Sequence, residues 1–161
     1  MIWLRLLPLL LLAACGYHLV GQGDGAGLIQ KDEVVYAQAD SAVAQTLRDD
    51  LAQELERRGY SISDDAGVAA VALHIRQASE QLNPSAYDAS GLAVQYRLIL
   101  RADAVLWRNN EEIWRADAIT VEGDVFASGG PSDIDAQRAS VSQQLHKAWV
   151  RRAMAQLQSG F

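Results

Sequence analysis

"LAVQYRLILRADAVLW" spans residues 92–107. Leu92, Val94, Tyr96, Leu98, Leu100, Ala102, Ala104 and Leu106 share one phase of a two-residue period. Gln95, Arg97, Arg101 and Asp103 share the other. Successive side chains of a strand point to opposite faces, so this spacing predicts a long strand with one buried face. Asn109-Asn110 follows as a turn. Ile113 to Phe126 then returns as an antiparallel partner.

An apolar face needs a cover, and the flanking sequence supplies one. Glu33 to Ala39 ("EVVYAQA") reads as a first strand. Asp40 or Ser41 can cap a helix, on which Val43, Leu47, Leu51 and Leu55 form an apolar stripe. Gly59 suits its stop. Its polar face is mixed in sign and not basic, so the stripe belongs in a core rather than on a membrane. Ala69 to Ala78 alternates, with Val71, Leu73 and Ile75 opposite Ala72, His74 and Arg76. Asn83-Pro84-Ser85 and Ser90-Gly91 mark a long irregular connection. After Gly129-Gly130-Pro131-Ser132, a second helix runs from Asp133 to Gln158, with Val141, Leu145, Ala148, Trp149, Ala153 and Leu157 on its apolar side. Lys147, Arg151 and Arg152 suit the dipole near its end.

The expected fold is α+β. It is a two-layer sandwich with two helices packed on one face of a four-stranded mixed sheet, in the order β-α-β-β-β-α. The first helix crosses over right-handed, so its flanking strands lie parallel. The other face, carrying Arg97, Arg101, Arg76 and His74, stays open and is a natural place for a partner.

The chain begins differently. Ile2 to Ala14 is apolar except for Arg5 and ends on small residues before Cys15, the only cysteine. This is the layout of a secretory signal, and it is shorter than the roughly 20 residues of a spanning helix. Residues 1–14 are read as a signal peptide, 15–30 as a lipidated N-terminus and flexible tether, and 31–161 as one domain. Gly21, Gly23, Gly25 and Gly27 alternate with other residues. They lack the preceding strand and following helix of a phosphate loop and suit a tether.

The chain is acidic, with a net charge of −6. That argues against nucleic acid as a partner, since nucleic acid rewards clustered Lys and Arg. His18, His74 and His146 show no metal-ligand spacing. Asp64-Asp65 and Glu111-Glu112 lack the pattern of a calcium loop, and no Gly-x-Ser-x-Gly elbow occurs. The expectation is no enzyme, no cofactor and no metal. Trp107 and Trp114 flank the hairpin turn, as partner anchors or as strand-end packing.

Two motifs carry a family resemblance. Leu12-Ala13-Ala14-Cys15 resembles the lipobox of bacterial lipoproteins, in which the cysteine becomes the acylated first residue. Cys15-Gly16-Tyr17-His18-Leu19, together with Ala93-Val94-Gln95-Tyr96-Arg97-Leu98 after Gly91, resembles the lipopolysaccharide-assembly lipoprotein family LptE. The resemblance implies lipidation at Cys15, and with Gly16 in place of Asp, residence on the periplasmic side of the Gram-negative outer membrane. It also implies a plug and assembly factor in the lumen of the β-barrel LptD, assisting lipopolysaccharide transport to the outer leaflet. Family members are held to meet lipid A phosphates with basic side chains. Here the loop before the third strand reads Tyr87-Asp88-Ala89-Ser90, and Arg138 is the basic residue near the second helix start. The candidate partner- or lipopolysaccharide-binding residues are therefore Arg97, Arg101, Arg138 and Trp114. A lipid-binding auxiliary lipoprotein of an ABC-type transport system is the alternative.

Overall fold

The structure, a computed structural model, describes residues 27–127 and 131–159. The elements are β1 (Val34–Ala39), α1 (Ala42–Arg57), β2 (Ser61–Ser63), β3 (Val71–Tyr87), β4 (Ala93–Arg108), β5 (Glu111–Phe126) and α2 (Pro131–Ser159). Residues 1–26, with the expected signal segment, Cys15 and most of the expected tether, lie outside the described residues.

The α+β architecture with two helices on one sheet face is as expected, but the sheet has five strands rather than four, in the order β2-β1-β3-β4-β5. The extra strand is β2, parallel to β1 at the edge. It has three residues and one apolar side chain, Ile62, too little to show a period. β1 and β3 are parallel across the α1 crossover, and β3, β4 and β5 form an antiparallel meander.

The second correction concerns the connection between β3 and β4. Asn83-Pro84-Ser85 is not loop: β3 runs through it to Tyr87, and Pro84 pairs with Tyr96. Within β3, β1 pairs only with Val71–Ile75. Beyond that point β3 is an edge strand, where a missing N–H costs no ladder bond. Register shifts on either side of Ala86 absorb the irregularity.

Local chemistry sets the helix and turn boundaries. Ser41 caps α1, its hydroxyl accepting from the Ala44 N–H at 3.2 Å. Gly59 follows the helix at φ +85°, a conformation that costs a residue with a Cβ. Asn109 and Asn110 both take positive φ, the two-residue turn whose twist matches that of the flanking strands.

The core lies between the helices and one sheet face. Leu47, Leu51 and Leu55 of α1 and Leu145, Trp149, Ala153 and Met154 of α2 cover Val35, Leu73, Ile75, Leu98, Leu100, Leu106 and Val121. Ile29, placed in the tether by the sequence, is instead buried in the same cluster, so the packed domain begins before residue 31.

Candidate partner-binding face

The face of β3–β5 away from the helices is built by the second phase of the same alternation. Arg97 and Arg101 stand four residues apart on it, about 13 Å at strand rise. Arg97 pairs across to β5, with Asp124 at 3.3 Å and Glu122 at 3.7 Å. Arg101 lies opposite Thr120 and Ser79 and makes no hydrogen bond or ion pair among the described residues. The two arginines therefore differ: Arg97 is already neutralised, and Arg101 is an available cation.

The next two positions on this face are not solvated. Asp103 is 5% exposed and Val105 fully buried. The Asp103 carboxylate accepts from the Ala118 N–H at 2.8 Å. Ala118 sits at φ +53° where the β4–β5 register shifts, so the carboxylate satisfies a donor that the bulge frees from the ladder. Val105 lies between His74 of β3 and Arg115 of β5. Arg115 donates from Nε to Glu112 at 2.8 Å and from Nη1 to Asp117 at 3.5 Å. The Arg115 hydrogen bond holds the Glu112 carboxyl below the usual carboxylate range, and Glu112 in turn raises Arg115. Burial lowers His74, against the pull of the Asp40 carboxylate and with the push of Arg76.

At the far end of the meander the strands outrun the helices. Tyr87, Leu92, Val94 and Phe126 are exposed there, Leu92 at 67% and Phe126 at 52%. The loop that presents them is fixed by Asp88, whose carboxylate accepts from Ser90 N at 2.8 Å, Ser90 Oγ at 2.6 Å and Leu92 N at 3.0 Å. These bonds, the Ser90 hydroxyl's first, hold the Asp88 carboxyl low. The sequence did not mark this apolar tip as a surface. Leu92 and Val94 share the phase of the core residues, and only the reach of the helices decides that they stay open.

The remaining candidates fall elsewhere. Arg138 lies on α2 and pairs with Glu80 of β3 at 3.1 Å, while Ser142 donates to the other Glu80 oxygen at 2.6 Å. This bridge clamps the helix to the sheet on the covered side. Trp114 is 6% exposed, opposite Leu106 in the core, and its indole N–H has no partner among the described residues; this placement is strand-end packing. Cys15 lies outside the described residues. Among the described residues, no three His, Cys, Asp or Glu side chains gather as a metal site, and no helix is long and apolar enough to cross a membrane.

The sequence model of the family described as LptE, lipopolysaccharide-assembly, matches residues 33–158. No curated protein matches the sequence. Solved structures share the fold, three of them as follows. Lipoprotein B from Nitrosomonas europaea aligns with a TM-score of 0.62 at 16% identity, over 79% of this chain and 83% of its own. Rare lipoprotein B from Shewanella oneidensis aligns with a TM-score of 0.61 at 14% identity, over 79% and 97%. A minor lipoprotein from Acinetobacter baumannii aligns with a TM-score of 0.61 at 13% identity, over 80% and 92%.

Proposed function

The chain belongs to the lipopolysaccharide-assembly family LptE, and from that premise we propose that it is an outer-membrane lipoprotein, acylated at Cys15, that plugs the lumen of an LptD-like β-barrel. In that place it assists barrel assembly and the passage of lipopolysaccharide to the outer leaflet. It binds and positions; it catalyses no reaction.

The observation that carries this reading is the uncovered face of β3–β5. The lumen of a large outer-membrane barrel is polar, so a plug must present a rigid surface that keeps its charges when water is displaced. Arg97 meets that need by holding Asp124 and Glu122. Arg101 remains free to meet an acidic wall residue or a lipid phosphate, where guanidinium geometry favours paired oxygens. The tip formed by Leu92 and Phe126 adds apolar area of the kind that anchors interfaces. Arg138 is committed to Glu80 and contributes through the position of α2.

The test is affinity purification of the full chain from detergent-solubilised outer membrane, with a photoreactive residue replacing Arg101 or Phe126. The expected result is an equimolar large β-barrel, captured covalently from both positions. Recovery with inner-membrane transport components alone overturns the plug and favours the ABC-system alternative.

A further inference from the structure

The two helices run side by side in the same direction, because each returns from the same end of the sheet. Their C-terminal ends lie where β1 begins. Gly27, Leu28 and Ile29 pack there against Leu55, Tyr60, Met154 and Leu157. The chain that leads back to Cys15 therefore leaves the domain beneath the helix ends.

A cleft of about 490 Å³ opens between the helices just above that exit. Arg57 and Arg58 line it from α1, and Lys147 and Arg151 from α2. Glu54 accepts from Arg58 Nε at 2.7 Å and also from Arg57. One carboxylate thus gathers two guanidiniums and neutralises one of them. Its pKa is lowered, chiefly by the Arg58 hydrogen bond, so the brace stays ionised. Lys147 and Arg151 have no ion pair among the described residues. The other acid of the cleft, Asp50, lies 3.8 Å from His146. The cleft is locally cationic in a chain of net charge −6.

The dipole of α1 suits Arg57 and Arg58 at its C-terminal end, but helix dipoles do not account for the cations of α2. The dipole acts within the last turn, and Lys147 and Arg151 stand about two turns or more before Ser159. Two helices instead aim unpaired cations and a braced arginine pair into one cavity. That arrangement matches the oxygens of a phosphate, which guanidiniums grip as forks and lysine meets as a point charge.

We propose that the cleft between α1 and α2 is an anion site that takes the phosphate of an anionic lipid headgroup at the membrane surface beside the domain's N-terminus. The segment from Cys15 to Gly27 reaches at most about 40 Å, which keeps the cleft close to that surface. The choice of a lipid phosphate over a free one rests on the proposed acylation of Cys15; the charge and shape of the cleft do not.

The test is amide hydrogen exchange on the full chain in phosphatidylcholine nanodiscs, with and without phosphatidylglycerol. Phosphatidylglycerol is expected to slow exchange across Gln53–Arg58 and Lys147–Arg151 about tenfold. The exposed pair Lys147→Glu and Arg151→Glu removes that protection and leaves exchange in the core strands unchanged. Equal protection in pure phosphatidylcholine, or protection that survives the double reversal, overturns the site. Protection by inorganic phosphate but not by phosphatidylglycerol overturns the lipid source. The intact mass of the same sample reports the acyl chains on Cys15. A missing lipid mass overturns the anchor and the lipid source together, whereas an acylated protein without protection overturns the cleft alone.

Discussion

On the helix side of β4, Leu98, Leu100, Ala102, Ala104 and Leu106 are sealed by α1 and α2. On the other side Val105 is sealed as completely, with no helix on its face. The two faces reach burial by different routes. The covered face joins apolar side chains to an opposing layer, so each residue depends on the helices. On the uncovered face Val105 sits between its cross-strand neighbours His74 and Arg115. Long polar side chains lay their stems over apolar surface and keep their polar ends in water, so this face is dry in one spot and charged around it. The contrast predicts that substitutions on the first face act through packing volume, and those on the second through charge and pH.

The sharpest break of the covered face is at Trp149, fully buried on α2. Trp149→Ala removes the largest buried side chain and is expected to destabilise by about 3–5 kcal/mol, read as a shift in the urea midpoint. Trp149→Phe should cost much less. The indole N–H has no partner among the described residues, so the phenyl ring gives up no hydrogen bond there. An equal loss for both variants would mean that the indole edge, not the volume, supports the layer.

Gly123 tests the same face at its closest approach. A Cβ there would stand 2.8 Å from Val141 Cγ1, on a β-branched residue with little rotamer freedom in a helix. Gly123→Ala is expected to cost about 1–3 kcal/mol by overpacking. Adding Val141→Ala should return part of it, because the methyl that collides is gone. If the second substitution worsens the first, the space is not shared and the account of helix seating fails.

These positions also show what the sequence could tell. The alternation of residues 92–107 placed the core face of β4 from Tyr96 to Leu106, because a strand period of two is unambiguous over that length, but it could not say that Leu92 and Val94 stay open beyond the helices. The stripe of α1, its Ser41 cap and the Gly59 stop were legible for the same local reason. β2 was not, since three residues carry no period. The far half of β3 was hidden by Pro84, whose usual meaning as a breaker does not hold at a sheet edge. Trp114 had two readings in the sequence, and burial among the core residues settles its place. Among the candidate residues, periodicity put Arg97 and Arg101 on the helix-free face but could not say that, of these two and among the described residues, Arg97 is the one with acidic partners. That depends on which β5 residues fall opposite. Lys147 and Arg151 read as ordinary helix charges, because the cleft they share with Arg57 and Arg58 exists only once the helices lie side by side.

The smallest effect is expected on the uncovered face, at His74. Burial beside Val105 favours the neutral imidazole and lowers the pKa below the ordinary value near 6.5. Asp40 opposes the shift and Arg76 adds to it. Above pH 6.5 the imidazole is neutral in both folded and unfolded chains, and its contribution to stability is fully present. As the pH falls through 6.5 toward the lowered folded value, the unfolded chain takes up the proton first, and that contribution is lost. The stability difference between the wild type and His74→Gln should therefore shrink as the pH falls from 7.5 to 5.5, in denaturation curves run in parallel. Comparing the two proteins at each pH cancels every other group that titrates in the interval. A difference that stays constant would mean that His74 is hydrated on this face and that its burial does not set its protonation.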